Sequence, residues 1–581
     1  MSKSKYYYSF FLFLFIIINS CKETPKQILD SGINDYALYD EKGELHRFSY
    51  YNNSKAIVLY VQGNGCPIVR NSLKEYNEIA SIYSEKGFAF FMINSNIQDN
   101  RNNILIESKK YNFTIPVLID SAQLIANELD INITSEIIIL TPTTREIIYR
   151  GPINDRLNFE SQKNIVTNNY LSNTLDLIID DDLSKIKSEH AKGCKITRLS
   201  KINSKKIITY TKDIAPILID HCVKCHVEGG IAPWAMTDYN EILGWSEMIK
   251  QVLLSKRMPP WKADPEIGEF QNSFAIEDSN VRKITTWIDN NLPYGIGEDI
   301  LANVIPINEN WEHGIPDKII TLKEEIIPAS GLIPYRYQQI KVNITEDKWL
   351  KGVEIKPGNK NIVHHIVLSN KENSDKSNIV SRKLSPWTDN FIALAGGADQ
   401  VTFFPKNTGV FIPKGTILNI QIHYTPSGAV ESDQTEIGFY FYSKKPKKTL
   451  KSLSTSNYSF EIPPFGKNVI IKAEDLITEN IKIHYIIPHM HYRGKSIKFK
   501  VQYPSGNIET LVSLPDYNFN WQWFYKLKKP ISIPKGSKII VEGVFDNTFQ
   551  NPFNPDPSKK LIYGVQSTDE MLIGFFNYTL D

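Results

Sequence analysis

Cys222-Val223-Lys224-Cys225-His226 constrains the local fold of this chain more tightly than any other stretch. Thiols at positions i and i+3 meet on one side of a helical turn, and the next residue extends that turn. In an exported chain this spacing is the attachment motif of a c-type haem, whose vinyl groups take the two thiols and whose iron takes the histidine. Half of a zinc site is the competing reading. The flanks favour the haem. Asp213-Ile214-Ala215-Pro216-Ile217-Leu218 supplies a helix start with an apolar face, and Val281, Ile284, Trp287 and Ile288 share one face of a helix from about Ser279. An all-α cytochrome c domain is expected over 207–298, with a methionine as the second axial ligand. Met236, Met248 and Met258 are the choices. Met248 falls in an amphipathic stretch, whereas Met258 opens the rigid Met258-Pro259-Pro260-Trp261 loop, so Met258 is chosen. An iron held by His226 and Met258 carries single electrons and is closed to substrate.

At 581 residues the chain exceeds one core, and several domains are expected. Its 66 Lys plus Arg against 64 Asp plus Glu leave no bulk charge pointing to nucleic acid. Lys3 and Lys5 precede an apolar run, 10–18, that ends at Asn19-Ser20-Cys21. A basic start, a short apolar centre and small residues describe an export signal over 1–20, too short for a comfortable membrane span. An ordinary signal peptide is one reading. The cysteine directly after a small residue resembles a bacterial lipoprotein signal, which implies lipidation at Cys21 and anchoring to the cell envelope, on a periplasmic or outer-membrane face. Cys66, Cys194, Cys222 and Cys225 then face an oxidising compartment.

The run 56–61 (Ala-Ile-Val-Leu-Tyr-Val) is continuously apolar, as a strand buried on both faces requires. It leads into Gly65-Cys66-Pro67 and a helical stretch through Ile82. The run 88–94 reads as the next strand, and 137–140 with 147–150 as a closing hairpin. Strand–helix alternation with a cysteine at the turn resembles an α/β thioredoxin-like fold of the redoxin type, over 30–190. A helix N-terminus favours the thiolate of such a cysteine. Val69 stands where a C-x-x-C motif would have its second cysteine, and Ser135 where redoxins usually carry a cis-proline. Cys194 is a candidate partner for Cys66, as a structural disulfide, as a redox-active pair, or with no bond at all.

Past 310 helix signals give way to short strand-like runs between Pro, Gly and Asn turns, the pattern of β-sandwiches. Lys444-Lys445-Pro446-Lys447-Lys448 marks a joint between two of them, 315–443 and 450–581. His364 and His365 are adjacent in one strand, so both can bind one metal only across a twist or bulge. His423 follows in another strand. Between the strand-like runs 481–487 and 496–503, His489 and His491 are two apart and share a face. Alone, that pair is either half a copper or zinc site or two surface histidines at a turn. Met571, in Gln566-Ser567-Thr568-Asp569-Glu570-Met571, adds a soft sulfur that favours copper.

This ordered set over about 315–581 resembles the copper type II ascorbate-dependent monooxygenases, the peptidylglycine and dopamine hydroxylating enzymes and their bacterial relatives. The resemblance implies two all-β jelly-roll sandwiches with one copper each, facing across a solvent-filled cleft. By the same resemblance His364, His365 and His423 hold the electron-storing copper, and His489, His491 and Met571 hold the copper that binds oxygen and substrate. Met490 faces away and packs. The stretches 518–522, 546–547 and 551–557 are read as turn and framework residues. Peptide-amidating members grip a carboxylate with an arginine and a tyrosine at the positions that are Ile487 and Phe575 here, so a small apolar or aromatic substrate is expected.

The expected activity is copper-dependent hydroxylation of a C–H bond with O2. Its cofactors are two copper ions and one covalently bound haem c, with electrons from ascorbate, an external donor or the fused haem. Two other classes stay open: a non-catalytic copper- and haem-binding electron-transfer lipoprotein, and a thiol oxidoreductase acting through Cys66. Nucleic acid is not an expected partner.

Overall fold

The computed structural model describes residues 32–157, 161–199, 207–306, 311–370, 391–396 and 401–581. The export signal and Cys21 lie outside the described residues. Among those described, no helix is long and apolar enough to cross a membrane.

The first unit is built on a five-stranded sheet in the order Val117–Ile119, Ala89–Asn94, Ile57–Gln62, Ile137–Leu140, Ile147–Gly151. The first three strands run parallel and the last two form an antiparallel hairpin. The central strand explains its own composition. Ile57, Leu59 and Val61 face one apolar core while Val58 and Tyr60 face the other, so no position over 57–61 faces solvent. Cys66 caps the helix Pro67–Ser84, with Pro67 in the first turn, where its missing N–H costs nothing.

The second unit is helical. A continuous helical run, Tyr210–Ile214, Ala215–Leu218 and Ile219–Val223, enters the Cys-x-x-Cys-His motif, followed by Tyr239–Leu254 and Asp278–Asp289. The periodic residues of the last helix, Val281, Ile284, Trp287 and Ile288, are all buried. They do not form a private core. Tyr210, Ile214 and Trp287 join the same cluster as Ile57, Leu59 and Val61, so the first two units are packed as one body.

Two β-sandwiches follow. The first sets the sheet Arg336–Lys341, Ile417–Tyr424, Val363–Asn370, Phe391–Gly396 against one centred on Lys348–Lys356 and Glu436–Tyr442. The second sets Lys451–Ser456, Leu572–Leu580, Ile481–Met490, Tyr525–Ile533 against Val469–Leu476, Lys538–Phe545, Gly494–Gln502, Ile508–Leu514. The helical unit is stitched to the edge of this second sandwich by strand addition. Phe270 bridges Leu527, Gln271 N–H donates to the Lys526 carbonyl at 2.8 Å, and Lys528 N–H donates to the Glu269 carbonyl at 2.8 Å.

Asp516 locks three units together. It accepts from Arg47 at 3.2 Å, from Tyr50 at 2.6 Å and from Lys262 at 2.8 Å. Burial pushes its carboxyl up, but Lys262 and Arg47 outweigh that and hold it below the usual aspartate range. Asp516→Ala strands two cations and should cost about 3 kcal/mol in denaturant unfolding. Because the folded carboxyl is depressed, that stability is present above the ordinary carboxylate range and lost as pH falls below it, through the depressed folded value. Variant and parent should therefore converge in acid.

Candidate metal centre

His364 and His365 reach one point because the strand Val363–Asn370 is irregular there. Val363 pairs with Tyr424 and His365 with His423, which leaves His364 as the extra residue of a bulge. The three rings turn their Nδ1 atoms together: His364 lies 3.0 Å from His365 and 3.1 Å from His423. Nitrogens about 2 Å from a common cation adopt such a spacing. Among the described residues, no carboxylate or thiolate joins this group. Burial pushes the His364 imidazole down to about 4 and that of His423 to about 3. His365 is driven further below its ordinary value, by burial first and then by His423 and His364. All three are held neutral, the form that binds a metal.

His489 and His491 sit at the end of the strand Ile481–Met490 with ring centroids 5.1 Å apart. Their Nδ1 atoms are engaged, His489 with Gln522 Oε1 at 2.7 Å and His491 with the Asp569 carbonyl at 3.2 Å. Both therefore offer Nε2. That of His491 is buried with no hydrogen-bond partner among the described residues, which costs about 1–3 kcal/mol unless a ligand meets it. Burial lowers His489 to about 4 and, with His489 alongside, takes His491 well below its ordinary value. His489 pairs with Ile573 and Met490 with Leu572. One further step of this register puts the buried Met571 across from His491, on the histidines' face. Met490 is fully buried in the sandwich core, as a residue on the opposite face must be.

Two polar residues outside the expected set hold this turn. Glu570 accepts from the backbone N–H of His491 at 3.1 Å and of Arg493 at 2.7 Å, and burial pushes its carboxyl up to about 8. Arg493, completely buried, donates to the Thr568 carbonyl at 2.7 Å.

The two histidine sets do not face each other across open solvent, as expected, but share two aromatic walls. The Tyr335 ring lies 5.1 Å from His423 and 6.5 Å from His491, and Phe519 lies 5.4 Å from His423 and 5.7 Å from His491. The stretch 518–522 is thus more than framework, since it supplies both Phe519 and Gln522. Ile487 and Phe575, where a carboxylate grip would sit, instead join Phe391, Leu394, Tyr485 and Phe524 in an apolar cluster between the sandwiches. Phe575 is 6.2 Å from the His489 ring.

In the helical unit, His226 N–H bonds to the Cys222 carbonyl at 3.0 Å, so the turn carries through the motif. Burial, and then Cys225, pushes the Cys222 thiol up to about 12. His226 Nδ1 is taken by the Trp234 carbonyl at 3.0 Å, which leaves Nε2 for an iron. Cys222, Cys225 and His226 Nε2 are the donors a covalently attached haem would use, but none of the three lines the cavity at Met258. Met236 is core, Met248 is exposed, and Met258 lines a cavity of about 1160 Å3 together with Tyr39, Trp261, Ile276 and Asp516.

In the first unit the structure brings Cys66 and Cys194 together as free thiols, Sγ to Sγ 3.0 Å, with Thr134 Oγ1 at 3.1 Å from Cys66. Cys194 is seated by the chain: its N–H donates to Thr134 Oγ1 and its carbonyl accepts from Thr134 N–H, each at 2.9 Å. Burial pushes both thiols up. At Cys66 the hydrogen bonds from Cys194, Thr134 and the Val69 and Ile68 N–H groups outweigh it, so Cys66 ends below its ordinary value and Cys194 above.

A family model for redoxin matches residues 29–164, and one for the copper type II ascorbate-dependent monooxygenase C-terminal domain matches residues 467–579. Among solved structures, a hypothetical protein from Sinorhizobium meliloti 1021 is 22% identical over 29% of this chain and 95% of its own, with a TM-score of 0.27. An uncharacterized conserved protein from Geobacillus kaustophilus is 25% identical over 29% and 92%, TM-score 0.26. The peroxidoxin BcpB from Mycobacterium tuberculosis is 14% identical over 27% and 95%, TM-score 0.19. The chain carries a thioredoxin-like redoxin domain and a copper type II monooxygenase C-terminal domain.

Two outcomes are expected. His423→Ala should bind one copper fewer per chain than the parent by elemental analysis, with the Met571-containing set still loaded. Mild oxidation with diamide should join Cys66 to Cys194 in peptide maps. In Cys194→Ser, maleimide labelling of Cys66 should persist below the pH at which an ordinary cysteine loses reactivity.

Proposed function

We propose that this chain is an exported, lipid-anchored copper monooxygenase that inserts one oxygen of O2 into a C–H bond of a small apolar or aromatic substrate. The observation that carries the reading is the convergence of two unlike ligand sets, three imidazoles and two imidazoles beside a thioether, around shared aromatic walls. A copper store has no need of two chemically different sites.

When bound, the coppers supply dioxygen activation and one-electron steps, and a haem c supplies a one-electron carrier. Overall, substrate, O2, two electrons and two protons give hydroxylated substrate and water. His364, His365 and His423 would hold the electron-storing copper, and His489, His491 and Met571 the copper at the reacting centre. Cys222 and Cys225 would fix the haem covalently, with His226 and Met258 on its iron. The protein's own part is to orient and exclude. Gln522 and the Asp569 carbonyl fix which nitrogen each histidine presents, and Glu570 fixes the His491 backbone. Tyr335 and Phe519 keep water away from both sets. The Ile487–Phe575 wall supports an apolar substrate, because it offers no cation or hydroxyl to a carboxylate. Anchoring would be through Cys21 on the periplasmic or outer-membrane face, with ascorbate or the attached haem as reductant.

A thiol oxidoreductase activity is the second reading, favoured by the Cys66–Cys194 contact at 3.0 Å.

Oxygen uptake by the copper-loaded, haem-containing protein against a panel of apolar, aromatic and carboxylate substrates tests the main reading. Uptake should require an apolar or aromatic substrate, yield its hydroxylated form by mass spectrometry, and disappear in His489→Ala. No substrate-dependent uptake from a fully loaded, reduced protein would overturn it.

A further inference from the structure

The helical unit touches the β-sandwiches at two places that lead toward candidate ligands. One is slight. Lys360 Nζ donates to the Gly229 carbonyl at 2.8 Å, and three residues of chain separate Lys360 from His364. The other is extensive. Beyond the added strand, Asn272 Nδ2 donates to the Phe524 carbonyl at 2.7 Å, and Lys526 N–H donates to Asn272 Oδ1 at 3.2 Å. These bonds clamp the helical unit onto the backbone just after Gln522 and Trp523.

Trp523 is almost wholly buried and serves both sides of this junction. Its indole N–H donates to the Pro260 carbonyl at 2.9 Å, inside the Met258-Pro259-Pro260-Trp261 loop. Its ring packs edge-on to Phe274 at 5.0 Å. Phe274 in turn meets the Cys-x-x-Cys-His motif: its carbonyl lies 3.3 Å from His221 Nδ1, and Lys224 Nζ stands 5.7 Å from its ring. The neighbouring Gln522 holds His489 Nδ1 at 2.7 Å. From the chosen iron ligand to a copper ligand, the links are therefore Met258 to Pro260 along the chain, one hydrogen bond to Trp523, one peptide to Gln522, and one hydrogen bond to His489.

We propose that the Gln522–Trp523 dipeptide is the conduit by which an electron leaves the haem-binding unit, and that it delivers first to the His489–His491–Met571 set rather than to the three-histidine set. This rests on the reading of the helical unit as a one-electron carrier. Each passage oxidises one ferrous haem iron to ferric and reduces one cupric ion to cuprous, with no bond broken and no other co-reactant. Electron tunnelling falls steeply with distance and crosses covalent and hydrogen-bonded links better than gaps. The Trp523 route has only two non-covalent steps, one buried and one partly buried, and strand addition holds the backbone around them in register. The Lys360 contact is exposed and ends in a flexible side chain. Gln522 thus has two tasks, fixing the His489 tautomer and completing the route. Trp523 acts as a positioning and conducting residue that touches no substrate.

The test uses the intact protein with haem attached and copper loaded in the cupric state, without oxygen. A flash photoreductant reduces the haem, and its reoxidation is followed by absorbance while the cupric signal is followed by electron paramagnetic resonance. The parent should show a fast phase of reoxidation. Trp523→Phe, which keeps a ring against Phe274 but removes the N–H, should lose that phase with the haem midpoint potential and copper content unchanged, readouts that a folding defect would move. Gln522→Leu should lose it too, and Gln522→Glu, which keeps an oxygen for His489, should restore it. His423→Ala should retain it and His491→Ala should not. An undiminished fast phase in both Trp523→Phe and Gln522→Leu overturns the route, as does one lost in His423→Ala but kept in His491→Ala. In either case the relay itself stands. No fast phase in the parent overturns the relay reading, and the route with it.

Discussion

The bulge at His364 is the irregularity on which the three-histidine set depends. In a regular strand His364 and His365 would point to opposite faces, one into the sandwich core and one away. The extra residue turns both toward His423 on the neighbouring strand, and burial then strips all three of their protons. A cluster of neutral imidazoles, two buried and one half-buried, has little to gain from packing alone. Its nitrogens are either poor neighbours at 3.0–3.1 Å or ligands. The second set follows a different rule, with regular two-residue alternation bringing His489 and His491 to one face and the paired strand supplying Met571. Two geometries thus give two different donor sets, and under the proposed function that difference would separate storage from oxygen chemistry.

The units are joined more closely than a string of domains would be. The first two share a hydrophobic core, Asp516 gathers cations from both, and the segment before the last helix of the second unit becomes an edge strand of the final sandwich. Under the proposed relay, this continuity would hold the electron-transfer distances fixed. The same edge strand that closes the sandwich carries the chain directly past Trp523 and Gln522. Stability and connectivity are therefore supplied by the same contacts.

The elements most legible in the sequence are those whose signal is local. The run 56–61, the periodic face of Val281, Ile284, Trp287 and Ile288, and the alternation around His489 each report burial through residue spacing alone. The need for a bulge at His364 was legible too, because adjacency and shared ligation conflict in a strand. What stayed hidden were long-range partners. Gln522 and Phe519 lie in a turn whose composition reads as framework, and nothing local ties them to His489 or His423. Tyr335, Glu570, Arg493 and Asp516 gain meaning only from residues far along the chain. The closeness of Cys194 to Cys66 is likewise set by a distant residue, Thr134, which bonds to both. The expected open cleft failed for the same reason: two aromatic side chains from separate segments fill it.

The central claim is that one chain holds two copper sites of different chemistry. Copper X-ray absorption of the fully reduced, copper-loaded protein tests this most directly. The account predicts two coppers per chain in imidazole environments with sulfur scattering from one thioether, and loss of that sulfur contribution in Met571→Ile while the nitrogen shell remains. A single copper per chain, or a sulfur shell indifferent to Met571→Ile, would contradict it.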